Sequence, residues 1–425
     1  MPHIIDVLKE RGFIEALTSE EIRQLVEKPT RIYCGFDPTA DSLHLGNLVA
    51  IMGLAWFQRF GHTPVAIIGG ATGMIGDPSG KTSDRQLLDE ATLQNNLKGI
   101  QKNLEAILDF NHSTARPLIL NNFNWYKDFS FIQFLREIGS LFRIGPMLAK
   151  DSVKLRLQSE EGMSFTEFSY QILQGYDFLY LMKHHDVTIQ LGGSDQWGNI
   201  TSGTELIRKV LGKPAYGVTF PLLTRSDGQK FGKSEKGAIW LSSDKLSPYE
   251  FYQYLIRVED ADVIKLMRML TFMEMDEIHR YAKAMKDPDY IPRTAQKRLA
   301  EEVTYLVHGK SALETAIKVT EGIAPGSQTT LDAEILESLS ADMPSCKIPL
   351  EAILKAKLID FLVEIGLQSS KGEARRLIRN GGVYINNEKV GDENCVIDCN
   401  LLIDGRLMLL AAGKKNKMLV RITDE

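Results

Sequence analysis

The 425-residue chain lacks the features that mark several whole classes of protein. It has four cysteines, Cys34, Cys346, Cys395 and Cys399, and no pair has a C-x-x-C or other zinc-type spacing. A disulfide scaffold is thereby excluded, and reduced thiols in a cytoplasmic protein are expected. The longest uncharged apolar run, Leu45–Phe57, is shorter than the roughly 20 residues that span a bilayer. No membrane partner is expected. The opening Met1-Pro2-His3 lacks a basic segment followed by an apolar one, so no secretory leader is expected. There is no internal repeat, no low-complexity tract and no Walker-type phosphate loop. No residue set reads as a metal site, and no prosthetic group is expected.

The formal net charge of −5 does not advertise nucleic acid, but its distribution is uneven. Residues 351–425 hold 12 basic and 11 acidic side chains, a balance of +1, which leaves −6 on the rest. Within that tail the cations cluster at Lys371, Arg375, Arg376 and Arg379, and again at Lys414, Lys415, Lys417 and Arg421. A local basic face binds phosphates even when the average charge does not.

The length predicts more than one domain. Apolar strands over 30–36, 63–69, 116–121, 186–191 and 216–222 alternate with helical patterns over 45–60 and 164–182. That alternation indicates a parallel α/β sheet, whose ligands sit at the carboxyl ends of the strands. From 247 to 309 the strands stop and amphipathic helices follow one another. Residues 322–349 collect Gly, Pro, Ser and Thr and read as a linker. The last stretch reads as two helices followed by short strands, a small α+β module.

Two distant segments carry most of the chemistry. One is Asp37-Pro38-Thr39-Ala40-Asp41-Ser42-Leu43-His44-Leu45-Gly46-Asn47, running from a strand into a helix. A helix start offers free N–H groups and a partial positive charge to a phosphate, and Gly46 admits a flat base or ribose against the backbone. The other is Lys230-Phe231-Gly232-Lys233-Ser234. Two ammonium groups on a glycine-containing loop suit the charge that develops on a departing pyrophosphate. Each has an ordinary alternative, a structural histidine and a solvated lysine pair.

Tyr170, Gln174 and Asp177 are spaced i, i+4, i+7 and share a helix face. With Tyr33 in the first strand they form a polar stripe able to hold an ammonium group and a hydroxyl. The alternative is a core tyrosine and two surface polar residues. Gly192-Gly193-Ser194-Asp195-Gln196-Trp197-Gly198-Asn199 follows a strand directly, and Asp195 can accept from ribose hydroxyls. Asp77, in Gly73-Met74-Ile75-Gly76-Asp77-Pro78-Ser79-Gly80-Lys81, is another carboxylate at a strand end.

Taken in this order, these segments resemble the class I aminoacyl-tRNA synthetases, and within them the bacterial-type tyrosyl-tRNA synthetases. His44-Leu45-Gly46-Asn47 resembles the HIGH signature, with Asn47 replacing the second His. Lys230–Ser234 resembles the KMSKS signature, with Phe231 and Gly232 in place of Met and the first Ser and both lysines kept. The resemblance covers essentially the whole chain. It implies a Rossmann-like catalytic domain over 1–223 and a lysine loop with an α-helical domain over 224–321. A linker over 322–350 and an S-four-type RNA-binding module over 351–425 complete it. It implies activation of L-tyrosine by ATP, with Mg2+ held mainly by the ATP phosphates, then transfer to tRNA(Tyr). It further implies a homodimer.

The roles it implies are specific. Tyr33 and Asp177 match the recognisers of the phenol. Tyr170, Gln174, Gln196 and Asp77 match the tyrosine-binding set. Cys34, Gly35, Asp37, Gly46, Asn47, Gly193 and Asp195 match the ATP side. Thr39, His44, Lys230 and Lys233 match the grip on pyrophosphate, and Lys81 and Arg85 match mobile basic residues that help there. Arg375, Arg376 and Arg379 are matched to RNA phosphates. Three rivals remain: a tryptophan-specific synthetase, a small-molecule adenylyltransferase, and a non-catalytic RNA-binding protein built on a synthetase body.

Overall fold

The computed structural model describes residues 2–79, 89–159, 162–234, 237–322, 327, 331–338, 343–413 and 416–423, with backbone only at 233–234, 334–335 and 338. They form two compact units, residues 1–246 with 255–307, and residues 247–254 with 308–425.

The first unit is built on six strands: β1 (Ala16–Leu17), β2 (Arg31–Phe36), β3 (Thr63–Ile68), β4 (Leu118–Asn121), β5 (Val187–Gly193) and β6 (Tyr216–Phe220). Their order is β1-β6-β5-β2-β3-β4, with β2 to β6 parallel and β1 antiparallel at one edge. β3 reads as an unbroken apolar run because it is buried on both faces. The chain leaves β2 for β3 and β4, then returns to the other side of β2 for β5 and β6. That reversal opens a crevice at the carboxyl ends of β2 and β5.

The helix Leu45–Arg59 leaves β2 almost wholly buried. The helix Phe165–His185 starts at a capping box in which Ser164 and Glu167 exchange backbone bonds. It ends at Asp186 in a left-handed turn that feeds β5. It packs on the helix Trp197–Leu211, and a Cβ at Gly203 would stand 2.9 Å from the Phe178 ring. That close crossing fixes the face bearing Tyr170, Gln174 and Asp177.

The stretch read as a helical domain, 224–321, is shared between the two units. The helix Asp260–Leu270 packs on Leu45–Arg59 within the first unit. Buried Arg11 holds the end of that helix there, donating to the carbonyls of Arg268 at 3.0 Å and Thr271 at 3.1 Å. The helical run Thr294–Gly322 breaks at Gly309, where φ is 81° and ψ 178°.

The second unit holds a five-stranded sheet of β9 (Ser345–Pro349), β10 (Val383–Ile385), β11 (Glu388–Lys389), β12 (Leu407–Ala412) and β13 (Asn416–Thr423), ordered β11-β10-β12-β13-β9. β9 lies inside the stretch read as a linker, and so does the short helix Ala333–Ser338. β9 runs parallel to β13 at the sheet edge, and only Cys346 and Ile348 turn toward the core. Its polar alternate residues and flanking prolines hide it from a hydrophobicity reading. The helices Leu358–Glu364 and Lys371–Arg379 cover the sheet through Leu358, Phe361, Leu362, Ala374 and Ile378. Among the described residues no helix is long and apolar enough to cross a membrane.

Candidate active site

A cavity of about 430 Å³ opens where the strand order reverses. Its lining joins β2, the start of the helix Leu45–Arg59, the helix Phe165–His185, the end of β5 and the Lys230–Phe231 segment. The two distant segments of the sequence therefore meet at one site.

Their contact is a short antiparallel ladder. Leu45 N–H donates to Ile239 O at 2.7 Å and Leu241 N–H to Leu43 O at 2.9 Å, with His44 paired to Trp240 between them. Ile239 N–H donates in turn to Gly232 O at 2.9 Å. Gly232 has φ +91°, and a Cβ there would meet the Gly46 nitrogen at 2.7 Å. Only glycine meets both demands. Asn47 Oδ1 accepts the His44 N–H at 3.1 Å and so closes the helix start. β7 (Lys233–Ser234) turns back on β8 (Gly237–Ala238). The Lys233 side chain lies outside the described atoms, and Lys81 and Arg85 lie outside the described residues.

The polar stripe faces the same cavity. Asp177 is buried, accepting from Trp125 Nε1 at 2.8 Å and Asn122 Nδ2 at 3.1 Å. Burial raises its carboxyl to about 7 although those hydrogen bonds pull the other way. Tyr33 packs on Phe178 with ring centroids 5.1 Å apart. Burial also raises its phenol well above the ordinary range, with a further push from Asp177. Tyr33 Oη and Gln190 Oε1 line the cavity, are buried, and have no hydrogen-bond partner among the described residues. A buried polar atom left so costs about 1–3 kcal/mol. Partners supplied by a ligand would recover it.

Tyr170 Oη donates to Asp37 Oδ2 at 2.8 Å, and Thr72 Oγ1 donates to Asp37 Oδ1 at 2.9 Å. A Cβ at Gly69 would lie 2.2 Å from that carboxylate, so glycine is required there. Gln196 Nε2 donates to Asp77 Oδ2 at 2.7 Å, Gln174 Nε2 to Gln196 Oε1 at 3.2 Å, and Asn199 Nδ2 to Gln174 Oε1 at 2.9 Å. Asp37 and Asp77 thus stand on one side of the cavity, held by neutral donors.

Cys34 is buried at the cavity wall, and burial pushes its thiol up to about 12, so it stays protonated. A Cβ at Gly35 would meet nothing within 4 Å, whereas one at Gly193 would meet Asp195 Oδ1 at 2.7 Å. Thr39, Asp195 and Lys230 line the opening. Among the described residues no group of three or more His, Cys, Asp or Glu side chains could hold a metal ion.

Of the residues read from sequence for the two substrates, all those described with their side chains line this one cavity. Arg375, Arg376 and Arg379 belong to the second unit. Sequence reading missed Thr72, Asn122, Trp125 and Gln190, and gave no role to Asn199 although it closes the Gly192–Asn199 cluster. Asn122 directly follows the end of β4, so the rule that sites gather at strand ends could have found it. Asn199 stands three residues after Gln196, within one helical turn. Trp125 carried no such signal.

Comparison with known proteins gives a consistent result. Residues 25–323 match the family described as tRNA synthetases class I (W and Y), and residues 334–420 match the tyrosine–tRNA ligase SYY-like C-terminal domain. The chain is 73% identical over 425 residues, covering all of both chains, to the tyrosine–tRNA ligase of Protochlamydia amoebophila (strain UWE25). It is 52% identical to the chloroplastic/mitochondrial tyrosine–tRNA ligase of Arabidopsis thaliana, over 99% of this chain and 84% of that one. A C-terminally truncated mitochondrial tyrosyl-tRNA synthetase of Coccidioides posadasii superposes with TM-score 0.64 at 34% identity, over 75% of this chain and 92% of that one.

Proposed function

The chain belongs to the class I tRNA synthetases for tryptophan and tyrosine, and from that membership and its cavity we infer that it joins tyrosine to tRNA at the expense of ATP. One observation carries the choice of amino acid. Tyr33 and Asp177 are buried beside one another at the cavity wall, and Tyr33 Oη has no partner among the described residues. A substrate phenol supplies both a donor and an acceptor there. An indole or a phenyl ring would leave one or both groups desolvated and unpaired.

In the first step the tyrosine carboxylate attacks the α-phosphorus of ATP. The new carboxyl–phosphorus bond forms as the bond to pyrophosphate breaks, giving tyrosyl-adenylate. The nucleophile is already ionised, so no side chain need remove a proton. Catalysis rests on alignment and on charge stabilisation at the leaving group. Asp77, Tyr170, Gln174 and Gln196 orient the substrate's ammonium end. Gly35, Gly46, Gly193 and Asp195 admit the nucleotide, with Cys34, Asp37 and Asn47 beside it. Thr39, His44, Lys230 and Lys233 grip the pyrophosphate, aided by Lys81 and Arg85. Mg2+ carried on the ATP phosphates would supply further positive charge there. In the second step a 3′-terminal hydroxyl of tRNA(Tyr) attacks the adenylate carbonyl and releases AMP.

Pyrophosphate exchange into ATP, run with each of the twenty amino acids, tests this reading. Tyrosine alone should stimulate it strongly. Stimulation by tryptophan would overturn the specificity, and none by any amino acid would favour a non-catalytic protein.

The working unit is a homodimer that acts in the cytoplasm, where the free cysteines stay reduced. The short helices Phe131–Glu137, Ile144–Leu148 and Asp151–Leu157 leave Phe131, Ile132, Ile144 and Leu155 each at least 60% exposed. Large apolar side chains exposed on three consecutive short helices fit burial against a second copy. Sedimentation equilibrium should give twice the 47.7 kDa chain mass. The double substitution Ile132→Asp, Leu155→Asp should halve it, and a monomeric wild type would refute the assembly.

A further inference from the structure

We propose that Asn103 is a positioning residue for adenylate formation, acting through Ser42 on both phosphate-gripping segments at once. The proposal rests on the reading that this cavity takes ATP beside tyrosine.

The helix Glu90–Ile107 has an apolar face formed by Leu93, Leu97, Ile100 and Leu104. Packing needs nothing more, yet the helix also buries Asn96 and Asn103. Asn96, Gly99 and Asn103 stand three and four residues apart, on one stripe. All three meet the loop that leads from Pro38 to His44. Asn96 Nδ2 donates to Pro38 O at 2.9 Å. A Cβ at Gly99 would stand 1.8 Å from Asp41 O, so the helix backbone lies against the loop. Asn103 Oδ1 accepts the Leu43 N–H at 2.8 Å and lies 3.2 Å from Ser42 Oγ.

Ser42 extends the grip across the site. Its buried oxygen accepts the Ser242 N–H at 3.1 Å. Its single proton serves Leu43 O at 2.7 Å or Asn103 Oδ1. Ser242 directly follows Ile239–Leu241, the strand laddered to Leu43–Leu45. The pair Asn103–Ser42 therefore sets the register between the helix start that carries His44 and the strand that closes the lysine segment. Both polar groups are desolvated, so their bonds are directional constraints rather than solvent-exchangeable contacts. A small misplacement of charge at a leaving group is costly in rate while leaving remote pockets untouched.

The test uses Asn103→Ala and Ser42→Ala in the full chain. Tyrosine affinity, measured by equilibrium dialysis without ATP, should be unchanged in both. The single-turnover rate of adenylate formation should fall about tenfold or more, and pyrophosphate should bind the adenylate complex more weakly. In a Lys230→Ala background the further loss from Asn103→Ala should shrink, because both changes act on one contact to the leaving group. Equal losses in tyrosine affinity and rate, or losses that simply add in the double variant, overturn the proposal. Ser42→Ala removes one oxygen only and decides the matter alone if Asn103→Ala does not fold. A wild-type chain that neither binds tyrosine nor exchanges pyrophosphate would instead refute the functional reading.

Discussion

At the residue scale, the phenol-recognising role proposed for Asp177 would make recognition depend on pH. Its carboxyl is held at about 7 by burial, against the bonds from Asn122 and Trp125, and Asp37 adds a further upward push. The neighbouring phenols of Tyr33, Tyr126 and Tyr170 are raised well above their ordinary range and stay neutral at any working pH. Above pH 7 an ionised Asp177 demands a donor, which tyrosine brings and phenylalanine lacks. Below pH 7 a protonated Asp177 removes much of that penalty. The ratio of kcat/KM for tyrosine over phenylalanine should therefore fall as pH drops, by about an order of magnitude between pH 8 and 6, since each unit is worth about 1.4 kcal/mol. Exchange rates with the two amino acids across that range check it, and a flat ratio would sink the assignment. For stability the direction is set by the raised folded value. The contribution of a neutral, buried Asp177 is fully present below its ordinary 3.8 and is lost as pH rises toward about 7.

At the scale of elements, legibility followed the strength of local signals. β3 was readable as an unbroken apolar run, β2 from the alternation of Ile32, Cys34 and Phe36, and β5 and β6 as short apolar-rich stretches between helical patterns. The helix Phe165–His185 was readable from its cap and its periodicity. β1 is two residues long and gains its place only by pairing with β6, so nothing local marks it. β9 was read as linker because an edge strand needs apolar residues on one face alone. The site was legible where one helix face or one strand end gathered the residues, as with Tyr170, Gln174 and Asp177. It was illegible where two remote elements combine. The ladder between Leu43–Leu45 and Ile239–Leu241, and the grip of Asn103 on Ser42, join positions about 60 and 200 residues apart. Only the folded chain brings them into register. Gly232 shows the limit from the other side. Its presence in a lysine loop was plain, but its reason, the approach to Gly46, is tertiary.

For the whole molecule, the question is how a chain of net charge −5 engages a polyanion. The helix Lys371–Arg379 turns Ala374 and Ile378 inward and leaves Arg375, Arg376 and Arg379 exposed. These three are not equivalent. Arg379 is tied to Glu393, while Arg375 and Arg376 form no ion pair among the described residues. Two adjacent guanidinium groups on a solvent-facing helix, Arg375 feeling the Asp360 and Glu393 carboxylates only at longer range, can meet backbone phosphates without first breaking an ion pair. The double substitution Arg375→Glu, Arg376→Glu should therefore reduce kcat/KM for tRNA charging by about 10- to 100-fold. It should also flatten the dependence of log(kcat/KM) on log salt by about one for each phosphate no longer engaged. Tyrosine-dependent pyrophosphate exchange should not change, because every residue proposed for that half-reaction lies in the first unit. Arg379→Glu alone should do less, since its charge is already partly neutralised by Glu393. Charging at the wild-type rate by the double variant would refute a phosphate-binding role for this helix. A parallel fall in exchange would mean that the substitutions act through folding rather than through RNA.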